Sequence, residues 1–146
     1  MTFEPITQDE WPQIFAIYKQ ALFEHVEAVF GWDEAFQKQR LVQEYDQKWF
    51  HWVYHGRDRV GLICFKPTKH AIHLHLLILL PDYQGQGLGK GVMQLIERLA
   101  LESHKTCVTL SSFTRNQVAI HFYQKLGYLQ IEQDSDFISM QKLILD

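Results

Sequence analysis

Cysteine, basic runs and long apolar stretches are all scarce in this chain, and each scarcity disfavours a class of protein. The two cysteines, Cys64 and Cys107, lie far apart in apolar runs, so we expect buried free thiols in a reducing compartment. The net charge is -3 and there is no long basic run, which gives nucleic-acid binding little support. The longest apolar run is too short to cross a membrane, so we expect no membrane partner.

The composition indicates a compact folded protein. Hydrophobic residues make up 47% and aromatic residues 14% of the 146 positions, which is enough for a sizeable core. This length predicts a single domain over residues 1–146. The segment Met1 to Pro5 has no basic start followed by an apolar stretch, so no signal peptide is visible and we expect a cytoplasmic protein.

The chain is organised around one stretch that runs from Ile72 to Ser103. An apolar strand over residues 72–80 leads into a glycine-rich turn over 81–91. Apolar residues then recur at helical spacing: Leu88, Val92, Leu95, Ile96 and Leu99. Because a helix N-terminus has free N–H groups and glycine lets an anion come close, the turn predicts phosphate or pyrophosphate binding.

Two familiar phosphate-binding loops do not fit this turn. The nucleoside-triphosphate loop needs a glycine where Gln84 stands and a serine or threonine where Gly91 stands. The dinucleotide loop needs a third glycine, but Lys90 or Val92 occupies that place, depending on the starting glycine. The spacing therefore excludes both loops.

Two motifs resemble the GNAT superfamily of N-acetyltransferases. The hexapeptide Gln84 to Gly89 is similar to the family's Gln/Arg-x-x-Gly-x-Gly/Ala signature, which holds the pyrophosphate of acetyl-CoA. The segment Asn116 to Tyr128 resembles the family's Asn-x-x-Ala-x-x-Phe-Tyr-x-x-x-Gly-Phe/Tyr helix. The resemblance covers nearly the whole chain, because the element order is also that of the GNAT fold.

The predicted order is β-α-α-β-β-β-α-β-α-β-β, an α/β fold with a mixed, mostly antiparallel sheet flanked by helices. Helical spacing predicts that the second helix turns Phe36, Leu41 and Tyr45 inward. Asn116 is expected to cap the start of the last helix, and Gly127 to end it in a left-handed conformation.

The resemblance implies acetyl-CoA as cosubstrate and no metal. The residues that it implies for coenzyme binding are Leu77, Ile78, Leu79, Gln84, Gly85, Gln86, Gly87, Leu88, Gly89, Lys90, Asn116 and Tyr123. In the family, a tyrosine at the place of Tyr123 lies near the coenzyme sulfur and protonates the leaving thiolate. From the residues alone, Tyr123 also fits a core tyrosine with a hydrogen-bonded hydroxyl.

The general base is less clearly marked. Relatives often carry a glutamate on the central strand, and here Ile78 stands in that place. His73 and His75 share one face of the strand because side chains alternate, and histidine suits proton transfer at neutral pH. Both also fit hydrogen-bonded sheet residues, and a His-x-His zinc site lacks a third ligand at convincing spacing.

The resemblance places the acceptor site at the two N-terminal helices. That region carries Glu27, Trp32, Asp33 and Glu34, a combination that suits a cationic amine on a small molecule or peptide. A helix cap with a solvated face explains the same residues. The resemblance also allows a homodimer, which no residue pattern indicates.

Two functions from different classes remain open on the sequence. The first is an acetyl-CoA-dependent N-acetyltransferase in which the amine attacks the thioester directly within a ternary complex. The second is a catalytically silent acyl-CoA sensor or interaction module. The missing strand glutamate favours the sensor, while Tyr123 and the glycine turn favour the enzyme.

Overall fold

The computed structural model describes residues 1–144, and all elements below lie within them. The helices and strands are β1 Thr2–Pro5, α1 Trp11–Phe30, α2 Glu34–Glu44, β2 Phe50–His55, β3 Asp58–Pro67, β4 Ala71–Leu79, α3 Leu88–Glu102, β5 Cys107–Phe113, α4 Gln117–Lys125, β6 Leu129–Gln133 and β7 Phe137–Leu143. The predicted order of helices and strands is confirmed.

The strands form a sheet in the order β1-β2-β3-β4-β5-β7-β6. Neighbouring strands pair antiparallel in β1–β2, β2–β3, β5–β7 and β6–β7. β4 and β5 pair in parallel, as expected for two strands joined by a crossover helix, with Ala71 opposite Cys107 and Leu74 opposite Leu110. The sheet is therefore mixed and mostly antiparallel, as predicted.

Helix α1 starts through a short 3-10 turn. The Glu10 carboxylate accepts a 2.8 Å hydrogen bond from the backbone N–H of Thr7, and Pro12 lies in the first turn, where it costs no helical hydrogen bond. The helix continues to Phe30 and ends at Gly31 with φ of 78°. Across residues 1–144, no helix is both long and apolar enough to span a membrane.

The described chain divides into two compact units. The first unit comprises Met1–Cys64 and Leu76–Gln84, and the second comprises Phe65–His75 together with the chain from Gly85 onward. The prediction of one domain over residues 1–146 stays a prediction.

The first unit has an aromatic core between α1, α2, β2 and β3. Its buried residues are Ile6, Ile14, Phe15, Tyr18, Leu41, Phe50, Trp52, Leu62 and Cys64. The prediction that Phe36 faces inward is wrong, because 56% of that residue is exposed. Gln37 is buried instead, while the other two predicted residues do face the core: Leu41 is buried and Tyr45 packs against this core.

The second unit is built around α3, which buries its apolar stripe. The buried residues of this helix are Gly89, Val92, Met93, Ile96 and Ala100. In α4, Ile120 and Tyr123 are buried, whereas Phe122 is half-buried. Tyr128, directly after Gly127, is 1% exposed and is among the largest side chains in this core.

Candidate active site

The turn that precedes α3 needs glycine for its backbone. Gly85 and Gly87 have φ of 74° and 77°, in the left-handed region that other residues rarely adopt, and Gly87 is the N-cap of α3. A Cβ added at either glycine would meet nothing within 4 Å, so open space lies beside both. Gln86 and Lys90 are exposed. The first-turn N–H groups of a 15-residue helix therefore begin beside open space, the arrangement that suits an anion.

Gln84 ends the 3-10 turn that follows β4, within the first unit, and bonds back to that strand. Its side-chain Nε2 donates a 3.0 Å hydrogen bond to the carbonyl oxygen of Leu79, and its backbone N–H donates to Pro81 over a 3-10 turn. The side chain thus fixes the end of β4. The sequence signature named Gln84 but gave no sign of this contact.

The end of β4 approaches β3 unusually closely. A Cβ added to Gly61 would lie 2.5 Å from the carbonyl oxygen of Ile78, a distance that real Cβ atoms do not adopt. Glycine at this position is what allows the close approach. Ile78 is buried, whereas Leu77 and Leu79 are half-buried. β4 also runs on past Leu74, its last residue paired with β5.

Asn116 and Tyr123 occupy the two ends of one helix in the second unit. The Asn116 side chain accepts a 3.3 Å hydrogen bond from the Ala119 N–H, so the predicted cap of α4 is confirmed. Tyr123 is 8% exposed, and burial raises its pKa well above the usual range. Its hydroxyl is therefore protonated at neutral pH.

A hydrogen-bonded chain of three polar side chains lies next to Tyr123, and the sequence gave no sign of it. The hydroxyl of Tyr128 donates a 2.9 Å hydrogen bond to Oε2 of Glu97, and Lys142 Nζ lies 2.9 Å from Oε1 of the same carboxylate. The rings of Tyr123 and Tyr128 meet edge to face with centroids 5.8 Å apart. Glu97 and Lys142 are 45 residues apart in sequence, which is why no local pattern could reveal the pair.

His73 and His75 lie together on one face of β4, as predicted. Their rings are 4.7 Å apart at 80°, and Nδ1 of His73 is 2.7 Å from the hydroxyl oxygen of Thr109. Burial, followed by the nearby His73 and Lys66, lowers the pKa of His75 to about 4. Burial and then Lys66 also lower the pKa of His73. Both rings are therefore neutral at physiological pH.

The four predicted acceptor-site residues come together at the corner between α1 and α2. The backbone N–H of Trp32 donates a 2.6 Å hydrogen bond to Glu27, and its indole N–H donates a 2.8 Å bond to Glu34. Asp33 accepts a 3.0 Å bond from the Phe36 N–H and caps α2. All three carboxylates therefore contribute to the structure of the corner.

A lysine of the chain itself occupies the cationic position at this corner. Lys19 Nζ lies 2.9 Å from Glu34 Oε1 and 5.8 Å from the centroid of the Trp32 ring. Trp32 packs in turn against Phe15, Tyr18 and Phe23, with centroid distances of 6.1, 6.3 and 5.2 Å. The corner thus holds an ammonium group between a carboxylate and an aromatic ring.

A family model decides the relationship that these motifs suggest. The model of the Acetyltransferase (GNAT) family matches residues 6–128, most of the chain. The chain belongs to this family. A curated relative, the L-amino acid N-acyltransferase MnaT of Escherichia coli (strain K12), is 27% identical over 66 residues, which cover 45% of this chain but only 36% of that protein.

Solved GNAT structures share the fold at low sequence identity. The PaiA N-acetyltransferase from Thermoplasma acidophilum, in complex with coenzyme A, matches with a TM-score of 0.74 at 16% identity and covers 98% of this chain and 99% of its own. Ard1 from Thermoplasma volcanium matches with a TM-score of 0.70 at 18% identity, covering 99% and 98%. Both matches confirm the predicted fold class.

The position at which the motif resemblance leads us to expect a glutamate is Ile78, which is 8% exposed. Between Met1 and Ile144, the structure groups no three His, Cys, Asp or Glu side chains in a way that could hold a metal ion. The side chains of β4 that are able to accept a proton are those of His73 and His75.

Proposed function

We propose that this GNAT protein transfers an acetyl group from acetyl-CoA to a primary amine of a small molecule or peptide. The observation that carries the proposal is the turn before α3, where Gly85 and Gly87 adopt left-handed conformations beside open space. The open space gives an anion access to the backbone N–H groups of the turn, as pyrophosphate binding requires. Family membership points to the same cosubstrate.

Each coenzyme-binding residue has a proposed role. The backbone N–H groups of Gly85, Gly87 and the first turn of α3 bind the pyrophosphate, with Lys90 adding positive charge. The backbone of Leu77, Ile78 and Leu79 binds the amide-bearing arm, as an added strand does, and polarises the thioester carbonyl. Asn116 contacts the coenzyme arm. The coenzyme supplies an activated acetyl group, so no metal is needed for the transfer.

Tyr123 is the proposed acid. Its hydroxyl is protonated at neutral pH, as a general acid must be before it acts. The acceptor nitrogen forms a bond to the acetyl carbon, the carbon–sulfur bond breaks, and the Tyr123 proton passes to sulfur. Solvent then restores the proton to the tyrosine.

His73 is the better of the two candidate bases. A group with a pKa of about 4, such as His75, is neutral at pH 7 but accepts a proton weakly. The pKa of His73 is lowered by burial and then by Lys66, and Thr109 fixes its ring through Nδ1 at 2.7 Å. We therefore propose that His73 receives the amine proton, directly or through water, and that His75 assists by lying against it.

The acceptor amine is proposed to bind at the corner formed by Glu27, Trp32, Asp33 and Glu34. The position of Lys19 supports this, because it shows that the Trp32 ring and the Glu34 carboxylate accommodate an ammonium group. The relative MnaT is named as an L-amino acid N-acyltransferase. A small amine with a second cationic group is the acceptor class that this corner suits.

A silent acyl-CoA sensor is the second candidate, and the burial of Ile78 favours it. That position offers no carboxylate to remove the amine proton. The two functions differ in turnover: an enzyme releases free coenzyme thiol when an amine is added, whereas a sensor binds acetyl-CoA and releases none.

The test begins with thermal unfolding in acetyl-CoA, with ATP as control. A ligand that binds only the folded protein raises the unfolding midpoint, and 100 times its Kd adds about 2.7 kcal/mol of stability. We expect a rise with acetyl-CoA alone, followed by thiol release with members of an amine panel. No shift at millimolar acetyl-CoA contradicts the coenzyme site, and a shift without turnover on any amine favours the sensor.

A further inference from the structure

Tyr128 is tied directly to the proposed acid. Its backbone N–H donates a 3.0 Å hydrogen bond to the carbonyl oxygen of Tyr123, five residues earlier. Gly127 makes this return possible because its φ is 96°, a left-handed conformation. The ring of Tyr128 then packs edge to face against that of Tyr123, with centroids 5.8 Å apart. A shift of the Tyr128 ring must therefore alter the packing of the Tyr123 ring.

The far end of Tyr128 is held by two charged residues. Its hydroxyl donates a 2.9 Å hydrogen bond to Oε2 of Glu97 on α3. Nζ of Lys142 on β7 donates a hydrogen bond of the same length to Oε1 of that carboxylate. Lys142 also lies over the Tyr128 ring, 5.9 Å from its centroid. The side chains of Lys142 and Glu97 are only 31% and 18% exposed. A carboxylate this sheltered and bonded at both oxygens is a firm anchor for the hydroxyl.

We propose that Glu97 and Tyr128 are positioning residues for proton transfer by Tyr123, with Lys142 holding the Glu97 carboxylate in place. This inference rests on the proposed function, since it concerns the group that protonates the departing thiolate. Neither residue touches the coenzyme in this proposal. They act by fixing the orientation of the Tyr123 ring, because a proton donor that is misplaced by a fraction of an ångström loses much of its effect.

The alternative, purely structural interpretation is that the Lys142–Glu97–Tyr128 chain only stabilises the fold. The two interpretations differ in where the effect of a mutation appears. A purely structural chain changes the unfolding midpoint but leaves turnover per folded molecule alone. A positioning chain lowers kcat while the KM for acetyl-CoA stays, and its effect disappears once Tyr123 has lost its hydroxyl.

The experiment is a double-mutant cycle of Tyr128→Phe and Tyr123→Phe, measured by thiol release at saturating amine. Tyr128→Phe keeps the ring and removes only the bond to Glu97, so folding is expected to persist. We expect it to lower kcat about tenfold with an unchanged KM for acetyl-CoA. In the Tyr123→Phe background, the same change should cause no further loss of kcat.

Variants of Glu97 supply a second line of evidence. Glu97→Ala removes the acceptor of the Tyr128 hydroxyl and should lower kcat as Tyr128→Phe does. Glu97→Gln keeps an oxygen that accepts this hydrogen bond, so its kcat should be higher than that of Glu97→Ala. Glu102→Ala, at an exposed position of the same helix, is the matched control and should leave kcat unchanged. Unfolding midpoints of all variants, measured with acetyl-CoA, establish that each remains folded and able to bind.

Three results overturn the positioning role: an unchanged kcat in Tyr128→Phe, an equal loss in both backgrounds, or equal losses in Glu97→Ala and Glu102→Ala. The proposed function fails separately, if the wild-type protein shows no turnover or if Tyr123→Phe turns over normally. In either of these cases there is no Tyr123 step for the chain to position, and the inference falls with it.

Discussion

The hydroxyl of Tyr18 on α1 donates a 2.9 Å hydrogen bond to Oε1 of Gln37 on α2, and both residues are buried. Burial raises the pKa of Tyr18, so the hydroxyl remains a donor at all ordinary pH values. This bond joins the two helices that flank the proposed acceptor corner. It is a buried polar contact in a region packed with aromatic rings, and the Lys19–Glu34 ion pair joins the same two helices nearer the surface.

Tyr18→Phe should destabilise the protein by about 1–3 kcal/mol, because it leaves the buried amide oxygen of Gln37 without its hydrogen-bond donor. The measurement is the free energy of unfolding in denaturant. The double variant Tyr18→Phe with Gln37→Leu should recover part of the loss, since no unsatisfied polar group remains. A single variant as stable as the wild type shows that another group replaces the bond.

Tyr123→Phe should lower kcat at least about tenfold while the KM for acetyl-CoA stays within about twofold. The reason is that the hydroxyl acts only in the transition state, when negative charge develops on the sulfur. The ring, which the variant keeps, contributes equally to the bound ground state and the transition state. The measurement is steady-state thiol release, with acetyl-CoA varied at fixed amine. Normal turnover in this variant removes Tyr123 as the acid.

Gly87→Glu should abolish the stabilisation by acetyl-CoA, because the carboxylate repels the pyrophosphate and a left-handed residue other than glycine is strained. The matched control is Gly56→Glu in the turn between β2 and β3. Gly56 also has a positive φ, 64°, and open space around an added Cβ. Both variants should lose about 1 kcal/mol of stability, but only Gly87→Glu should lose the coenzyme response.

Lys19→Met should lower the KM for cationic acceptors several-fold, about the amount that one exposed ion pair and cation–π contact contribute. The lysine occupies the position between Glu34 and Trp32 that we assign to the acceptor ammonium. Lys38→Met is the control, since Lys38 lies over the Phe15 ring instead. An unchanged or higher KM in Lys19→Met places the acceptor elsewhere.

Stability should fall as the pH drops from about 6.5 toward 4. The pKa of His75 is about 4 in the folded protein against an ordinary value of 6.5, so the unfolded chain binds the proton more tightly in this interval. His73 adds to the effect, since its pKa is lowered too. The measurement is the unfolding midpoint at pH 7.5 and 5. His75→Gln should flatten the difference, and an equal fall in that variant assigns it to other groups.

Features that depend on a few neighbouring residues could be predicted from the sequence. Asn116 and Asp33 cap their helices as expected, because an N-cap side chain needs only the N–H groups two or three residues ahead. Gly127 adopts its left-handed conformation for an equally local reason. The alternation of His73 and His75 along β4 follows from strand geometry alone.

Features that depend on packing between distant elements could not be predicted. Phe36 was the natural choice for the inner face of α2 by hydrophobicity, yet the hydroxyl of Tyr18 makes Gln37 the better buried residue. The anchor of Tyr128 on Glu97 joins positions 31 residues apart, with no spacing rule to reveal it. The occupation of the Trp32 ring by Lys19 is likewise a tertiary contact.

The close approach of Gly61 to the Ile78 carbonyl sets a rule for engineering this protein. Any library that varies the acceptor preference or restores a carboxylate on β4 must leave position 61 as glycine, because even alanine would place a carbon 2.5 Å from that oxygen. Because Ile78 is buried, a carboxylate introduced there also needs a hydrogen-bond partner. A glycine on β3 is therefore a requirement for any redesign of the neighbouring strand β4.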